Sequence, residues 1–281
     1  MPNTQTMTSV AFSLFAAAAT LASTSEAHAQ TAAPAAAQPD DVVKAVPATP
    51  AAGATSADPN IDRGFLLPTA MTQPAGSVTY NNYELLLHGV TVGITDRVQG
   101  SVTVLSPIVK DMPFVGFAAV KGRILSTERF HLALQGSLGW GHAFDVDSTT
   151  TDGNLYTFGG GAFASYCLRQ DCSSLVSASA TYSLVLPGGF DGAAHTVIYG
   201  GSVVHRVGRH VKLLGEVTSA AAGVTGSNDW ENINGVLVGY GVRFHTDAIA
   251  ADVGFIRPVG PDLDGDLLVG LPFVNVSYRW Q

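Results

Sequence analysis

Four groups of residues in this sequence have the types and spacing that chemistry needs. Asp262, Asp264 and Asp266 alternate around Gly265 in PDLDGDLL, as oxygen ligands do in a calcium loop. The distal Glu of a full EF-hand loop is missing, so this is a partial Ca²⁺ pattern set against an ordinary solvated acidic loop. AFDVDSTTTDGN, with Asp145, Asp147 and Asp152, echoes it more faintly. Cys167 and Cys172 straddle LRQD, close enough for one disulfide, with two free thiols as the alternative. Two cysteines cannot supply a four-ligand zinc site. The eight histidines invite a search for the Ser/His pairs of lipid hydrolases. No His-x-Ser-Asn or Gly-x-Ser-x-Gly string occurs, nor any P-loop or dinucleotide fingerprint, so no catalytic residue and no cofactor is assigned.

The fourth group is spread along the chain: Lys121, Arg123, Lys212, Arg243 and Arg279 against Glu84, Glu216 and Asp252. Each lies in a stretch that alternates apolar residues with small polar ones, and falls on the polar side. Such charges tune ion selectivity in an open pore. In a narrow interior they pair and fill it, because an unpaired charge away from water is costly.

Only a barrel would bring those charges together, and the composition points to one. Charged residues make up 13% of 281, and the mean hydropathy is +0.24. An ordinary soluble surface carries about 25% charge. After the first 30 positions no run of about 18 apolar residues appears, so hydrophobicity is spread over many short segments, as in a membrane barrel. A net charge of −8, without a Lys/Arg cluster, excludes nucleic acid as partner.

Residues 1–29 read as a signal peptide, with the apolar run VAFSLFAAAATLA and Ala27 and Ala29 as a cleavage pattern. Residues 30–60 are rich in Ala and Pro and read as a disordered linker. From residue 61 to 281 the sequence divides into twelve strand-like segments, near 75–82, 84–95, 98–106, 114–125, 130–142, 154–167, 174–186, 194–206, 211–221, 233–244, 248–256 and 268–280. Tight connections such as TDR, STER, VGRH and FHTD alternate with long ones. That is the up-and-down antiparallel transmembrane β-barrel, with short turns on the periplasmic side.

The period of two supports it. Leu132, Leu134, Leu138 and Trp140 oppose His131, Gln135 and Ser137; Val176, Ala178, Ala180, Tyr182 and Leu184 oppose Ser177, Ser179, Thr181 and Ser183. A soluble barrel would set Lys and Glu opposite its apolar face. Here the second face is small and polar, so the apolar face is expected to meet outer-membrane lipid. Trp140, Phe144, Tyr156, Phe158 and Trp230 near long loops, with Phe130, Tyr166, Phe244, Tyr278 and Trp280 near short turns, would form two aromatic girdles.

Two stretches resemble known proteins. Val274, Val276, Tyr278 and Trp280 alternate up to a terminal aromatic, followed by Gln281. This resembles the C-terminal signature read by the outer-membrane assembly machinery, which the resemblance implies as a partner. In FLLPTAMTQPAGSVTYNNYELLLHGVTVGITDRVQGSVTVLSPI, the residues Pro68, Thr69, Ala70, Gly76, Tyr80, Asn81, Asn82, Gly93, Ile94, Thr95 and Asp96 are similar to the opening of a group of uncharacterised bacterial outer-membrane β-barrel proteins. That resemblance implies the fold and an outer-membrane location in a Gram-negative envelope, and brings no substrate. Two functions are then expected to compete: a narrow porin-like channel for small solutes, and a closed barrel with a structural or surface-interaction role. A lipid-modifying enzyme ranks behind both.

Overall fold

In the computed structural model the described residues are 58–84, 86–105, 114–143, 153–187, 193–224, 230–232, 235–260 and 270–280. The signal peptide, most of the linker, Phe144 and the Asp262, Asp264 and Asp266 loop lie outside them.

The strands are β1 (Val78–Tyr83), β2 (Leu87–Thr95), β3 (Val98–Leu105), β4 (Phe114–Ser126), β5 (Phe130–Ala143), β6 (Gly153–Cys167), β7 (Leu175–Pro187), β8 (Ala194–Arg206), β9 (Val211–Val224), β10 (Trp230–Asn232), β11 (Val236–His245), β12 (Ile249–Val259) and β13 (Leu271–Trp280). β10 pairs with β9 alone, as a short extension. The other twelve form one antiparallel ring, closed where Val78 of β1 faces Trp280 of β13. Closure leaves no open sheet edge, the condition for crossing a bilayer with strands. No helix among the described residues is long and apolar enough to span.

The alternation reads outward as expected. Val90, Val92 and Ile94, Leu134 and Leu138, Val253, and Val274 and Val276 are exposed on the outer wall. Ser177, Ser179, Thr181 and Ser183 of β7 and Arg243 of β11 are buried inside. Trp140, Tyr156 and Phe158 are exposed near the long-loop end, and Phe130, Tyr166, Phe244, Tyr278 and Trp280 near the short-turn end. The protein thus has the fold of an outer-membrane β-barrel, with apolar residues outside and polar ones within.

Three expectations are corrected. The linker is expected to reach residue 60, yet Asp58 and Asn60 are fully buried. The barrel is expected from residue 61, yet residues 58–77 contribute no wall strand; 58–73 lie inside the lumen as a plug, and Ala75 and Gly76 are exposed where the chain leaves it. Glu84 is not a lumen charge either. It sits in the tight β1–β2 turn with φ 53°, its backbone N–H donating to Val274 O at 3.0 Å.

A charge on the lipid face tests the orientation. Leu134→Arg, on the outer face of β5, is expected to destabilise the barrel by about 2–4 kcal/mol if it lies near the bilayer midplane. Reversible refolding in lipid vesicles against denaturant measures this, and a change below about 0.5 kcal/mol would contradict a lipid-facing position.

Candidate functional site: the plugged lumen

The plug begins as a small internal hairpin. Thr69 N–H donates to Asp62 O at 2.9 Å and Gly64 N–H to Leu67 O at 2.8 Å, so residues 62–69 double back. The turn leaves three successive N–H groups, those of Phe65, Leu66 and Leu67, pointing the same way. Such a row is an anion-binding concavity. Glu216 of β9 fills it, Oε2 accepting all three at 3.2, 2.9 and 2.7 Å.

Arg243 of β11 holds the other side of the hairpin. Its Nε and Nη2 make a two-pronged pair with Asp252 of β12 at 2.6 and 3.0 Å. Nη1 reaches Asp58 Oδ2 at 3.1 Å and donates to Asn60 O at 2.8 Å; Nη2 also donates to Gly64 O at 2.6 Å. Lys212 of β9 completes the group on Asp58 at 2.7 Å. The guanidinium is planar with donors on a rigid fork, which is why one Arg can join two wall strands and four plug residues, Asp58, Asn60, Gly64 and, at 3.5 Å, the carbonyl of Arg63. Burial alone would raise the pKa of Asp58. Arg243 and Lys212 more than offset that and hold it well below the usual carboxylate range, so it is ionised at neutral pH.

The rest of the plug is tied to the N-terminal half of the wall. Lys121 of β4 donates to Asp62 O at 3.1 Å and Thr69 O at 3.2 Å. Gln99 of β3 donates to Asp62 at 3.0 Å and accepts from Gln73 N at 2.8 Å. Ala70 N–H donates to Ser165 Oγ of β6 at 2.8 Å. Phe65 packs on Phe273 of β13, ring centroids 4.6 Å apart. It can do so because Gly239 carries no side chain; a Cβ there would lie 2.9 Å from the ring. Where the plug leaves the lumen, Gly93 is equally required, since a Cβ would lie 1.9 Å from Pro74 O. The nearby Asp96 serves that exit: its Oδ1 accepts from Ala75 N at 3.1 Å and its O from Thr72 Oγ1 at 2.8 Å.

Of the eight charges assigned to the lumen, Glu84 lies in the β1–β2 turn, and the fold brings Lys121, Lys212, Glu216, Arg243 and Asp252 onto the plug or its hub. Arg279 reaches Asp58 O at 3.4 Å and also donates to Asp247 O at the rim, at 2.9 Å. Arg123 stays apart, half-buried at the short-turn rim, donating to Asp96 O at 2.7 Å. Sequence reasoning missed the plug's own residues: Asp58, Asn60, Asp62, Arg63 and Phe65. A signal was present, because the inward charges assigned from sequence held five bases against three acids. Asp58 and Asp62 supply part of the missing negative charge, while Arg63 adds a further base and Glu84 lies outside the lumen.

Cys167 and Cys172 are bonded to each other across the β6–β7 turn. His131 Nε2 lies 3.6 Å from Cys172 Sγ, so the three side chains have the proximity of a metal site. Sulfurs committed to a disulfide are not thiolates, and only thiolates ligate well. The other ring nitrogen of His131 meets Ser126 Oγ at 2.9 Å. Val274, Val276, Tyr278 and Trp280 share the outer face of β13.

Fold and lumen together define a twelve-stranded barrel of the outer-membrane type, filled at its short-turn end by its own N-terminal segment. No family model matches the sequence, and no curated protein matches it. Among solved structures the chain is similar to OmpT of Vibrio cholerae, an outer membrane protein, in its loop-L8-deleted form: 12% identity, TM-score 0.42, over 69% of this chain and 62% of that one. The chain therefore spans less than two thirds of that protein. It is also similar to the NanC porin, at 10% identity and TM-score 0.42, over 72% of this chain and 97% of that one. At such identities the likeness is one of fold.

Two substitutions test the energetics. Arg243→Met leaves Asp252 without its ion-pair partner and Asp58 with Lys212 alone, away from water, and is expected to cost about 3–5 kcal/mol, read by denaturant-dependent unfolding in vesicles. The paired Cys167→Ser and Cys172→Ser replacement opens a short covalent loop and is expected to cost only about 2 kcal/mol. In the unmodified protein a maleimide should label nothing until a reductant is added; labelling beforehand would contradict the bond.

Proposed function

We propose that this protein is a plugged outer-membrane barrel, closed to ions at rest by residues 58–74, with a structural or surface-interaction role in the envelope. The observation that carries the reading is the buried hub: Arg243, wholly inaccessible, binds plug and wall at once. An open diffusion pore keeps its inward charges hydrated, because hydration is what they offer to a passing ion. Here Lys121, Lys212, Glu216, Arg243 and Asp252 are all buried.

Beyond the plug, on β5 and β6, the inward Ser137, Leu155 and Thr157 are half-buried rather than sealed. The lumen is therefore read as a dead-end vestibule entered from the long-loop side, with the plug as its floor. Short turns then face the periplasm and long loops the exterior, β13 carrying on its outer face the segment offered to the assembly machinery. No residue is assigned a catalytic role.

A second reading is supported by the nature of the plug's attachments. They are noncovalent throughout, ion pairs, hydrogen bonds and apolar packing, so the plug can be displaced without breaking a covalent bond. A porin-like channel for small solutes would then exist only with the plug withdrawn.

Planar-bilayer recording separates the two. The unmodified protein is expected to show no stable openings, and a chain lacking residues 58–74 to conduct. Openings of the unmodified barrel at rest would overturn the closed reading. Silence of a well-folded plugless barrel would remove the channel reading.

A further inference from the structure

The barrel's ends meet at its weakest seam. β1 and β13 pair over six residues, Val78 to Tyr83 against Trp280 to Asn275. The β1–β2 hairpin is equally short but local, whereas the remaining neighbours in the ring pair over eight or more residues. The two strands of the seam are also the furthest apart in the sequence. Bringing their ends together closes a loop of about 200 residues, the largest closure entropy of any pairing here.

The plug's contacts are placed to shorten that loop. Its first residues are held by the last strands: Asp58 by Arg243 of β11, Asn60 by Asp252 of β12 at 3.2 Å, and Phe65 by Phe273 of β13. Its far end runs directly into β1 through the Pro74–Ser77 turn, where Ser77 N–H donates to Pro74 O at 3.1 Å. Arg63 then grips β1 itself, bonding Asn81 Oδ1 and lying 5.0 Å over the Tyr83 ring. Tyr83 and Phe273 face each other across the seam, centroids 6.4 Å apart.

We infer that residues 58–67 have a further function, as an intramolecular template for barrel closure. Once β11, β12 and β13 capture the plug, β1 is tethered about 15 residues away rather than about 200, and its effective concentration at β13 rises accordingly. Contacts from the plug to β3, β4 and β6 join it to strands already near β1 in sequence and give no such gain. The inference rests on where the plug lies and is independent of whether the barrel conducts.

The test follows closure of the full-length chain diluted from urea into phosphatidylcholine vesicles. The closed barrel is read by gel migration that resists SDS until boiling. The Asp58→Asn and Phe65→Ala double variant, which weakens capture by the last strands, should close at least about tenfold more slowly. Lys121→Met, which frees the plug from β4 alone, should close at the unmodified rate and only unfold faster. Phe65→Leu gives a milder point on the same scale and should slow closure measurably even if the double variant does not fold. Equal slowing by Lys121→Met would overturn the template role. So would closure of the double variant or of Phe65→Leu at the unmodified rate.

Discussion

The guanidinium of Arg243 is the interaction on which the rest of the structure depends. A strand that crosses a membrane barrel sets every second residue inward, and an arginine set inward must find anions or water. Arg243 finds Asp252 on the neighbouring strand and Asp58 on the plug, and uses its remaining donor capacity on the carbonyls of Asn60 and Gly64. Removing either carboxylate would leave a charge in a space from which water is excluded. The plug, the register of β11 against β12 and the ionisation of Asp58 are thus parts of one arrangement.

Around that hub the lumen divides its chemistry by side. Lys212, Glu216, Arg243, Asp252 and Arg279, all on β9 to β13, hold the start of the plug through charge. The β3 to β6 side holds its later part through Gln99, Lys121 and the Ser165 hydroxyl, with Ala70 packed against Ala133 and Phe163. The plug therefore has an ionic end and a mostly neutral end. The order of the chain is followed only in part: Asp58 and Asn60 meet the last strands, but Asp62, held by Gln99 and Lys121, precedes Phe65, Leu66 and Leu67 on Glu216.

Small residues make this filling possible. In a barrel of this size the interior must either stay wet or be packed by something other than wall side chains. Gly239 gives Phe65 a flat surface, and Gly93 lets the exit of the plug press against β2. The Ser and Thr face of β7 keeps the inner wall polar without adding charge, so the balance of ions is left to the hub.

The alternation of apolar and small polar residues, the uneven connections and the low charge pointed by themselves to a membrane barrel of about twelve long strands, with ten or fourteen left open until the ring itself was seen to close. That legibility has a plain cause: a strand with lipid on one side and lumen on the other writes its period of two directly into the sequence. That Cys167 and Cys172 could pair was legible from their closeness in the chain, while the structure decided between that bond and two free thiols. Residues 58–77 carry no such period, because a plug surrounded by wall on every side has no repeating environment. Only the tertiary structure decided that Asp58, Asn60 and Phe65 belong inside, since their partners, Arg243, Asp252 and Phe273, lie some 180 to 210 residues further along the chain. Local sequence fixes an element; a charge pair across that distance is fixed only by tertiary contact.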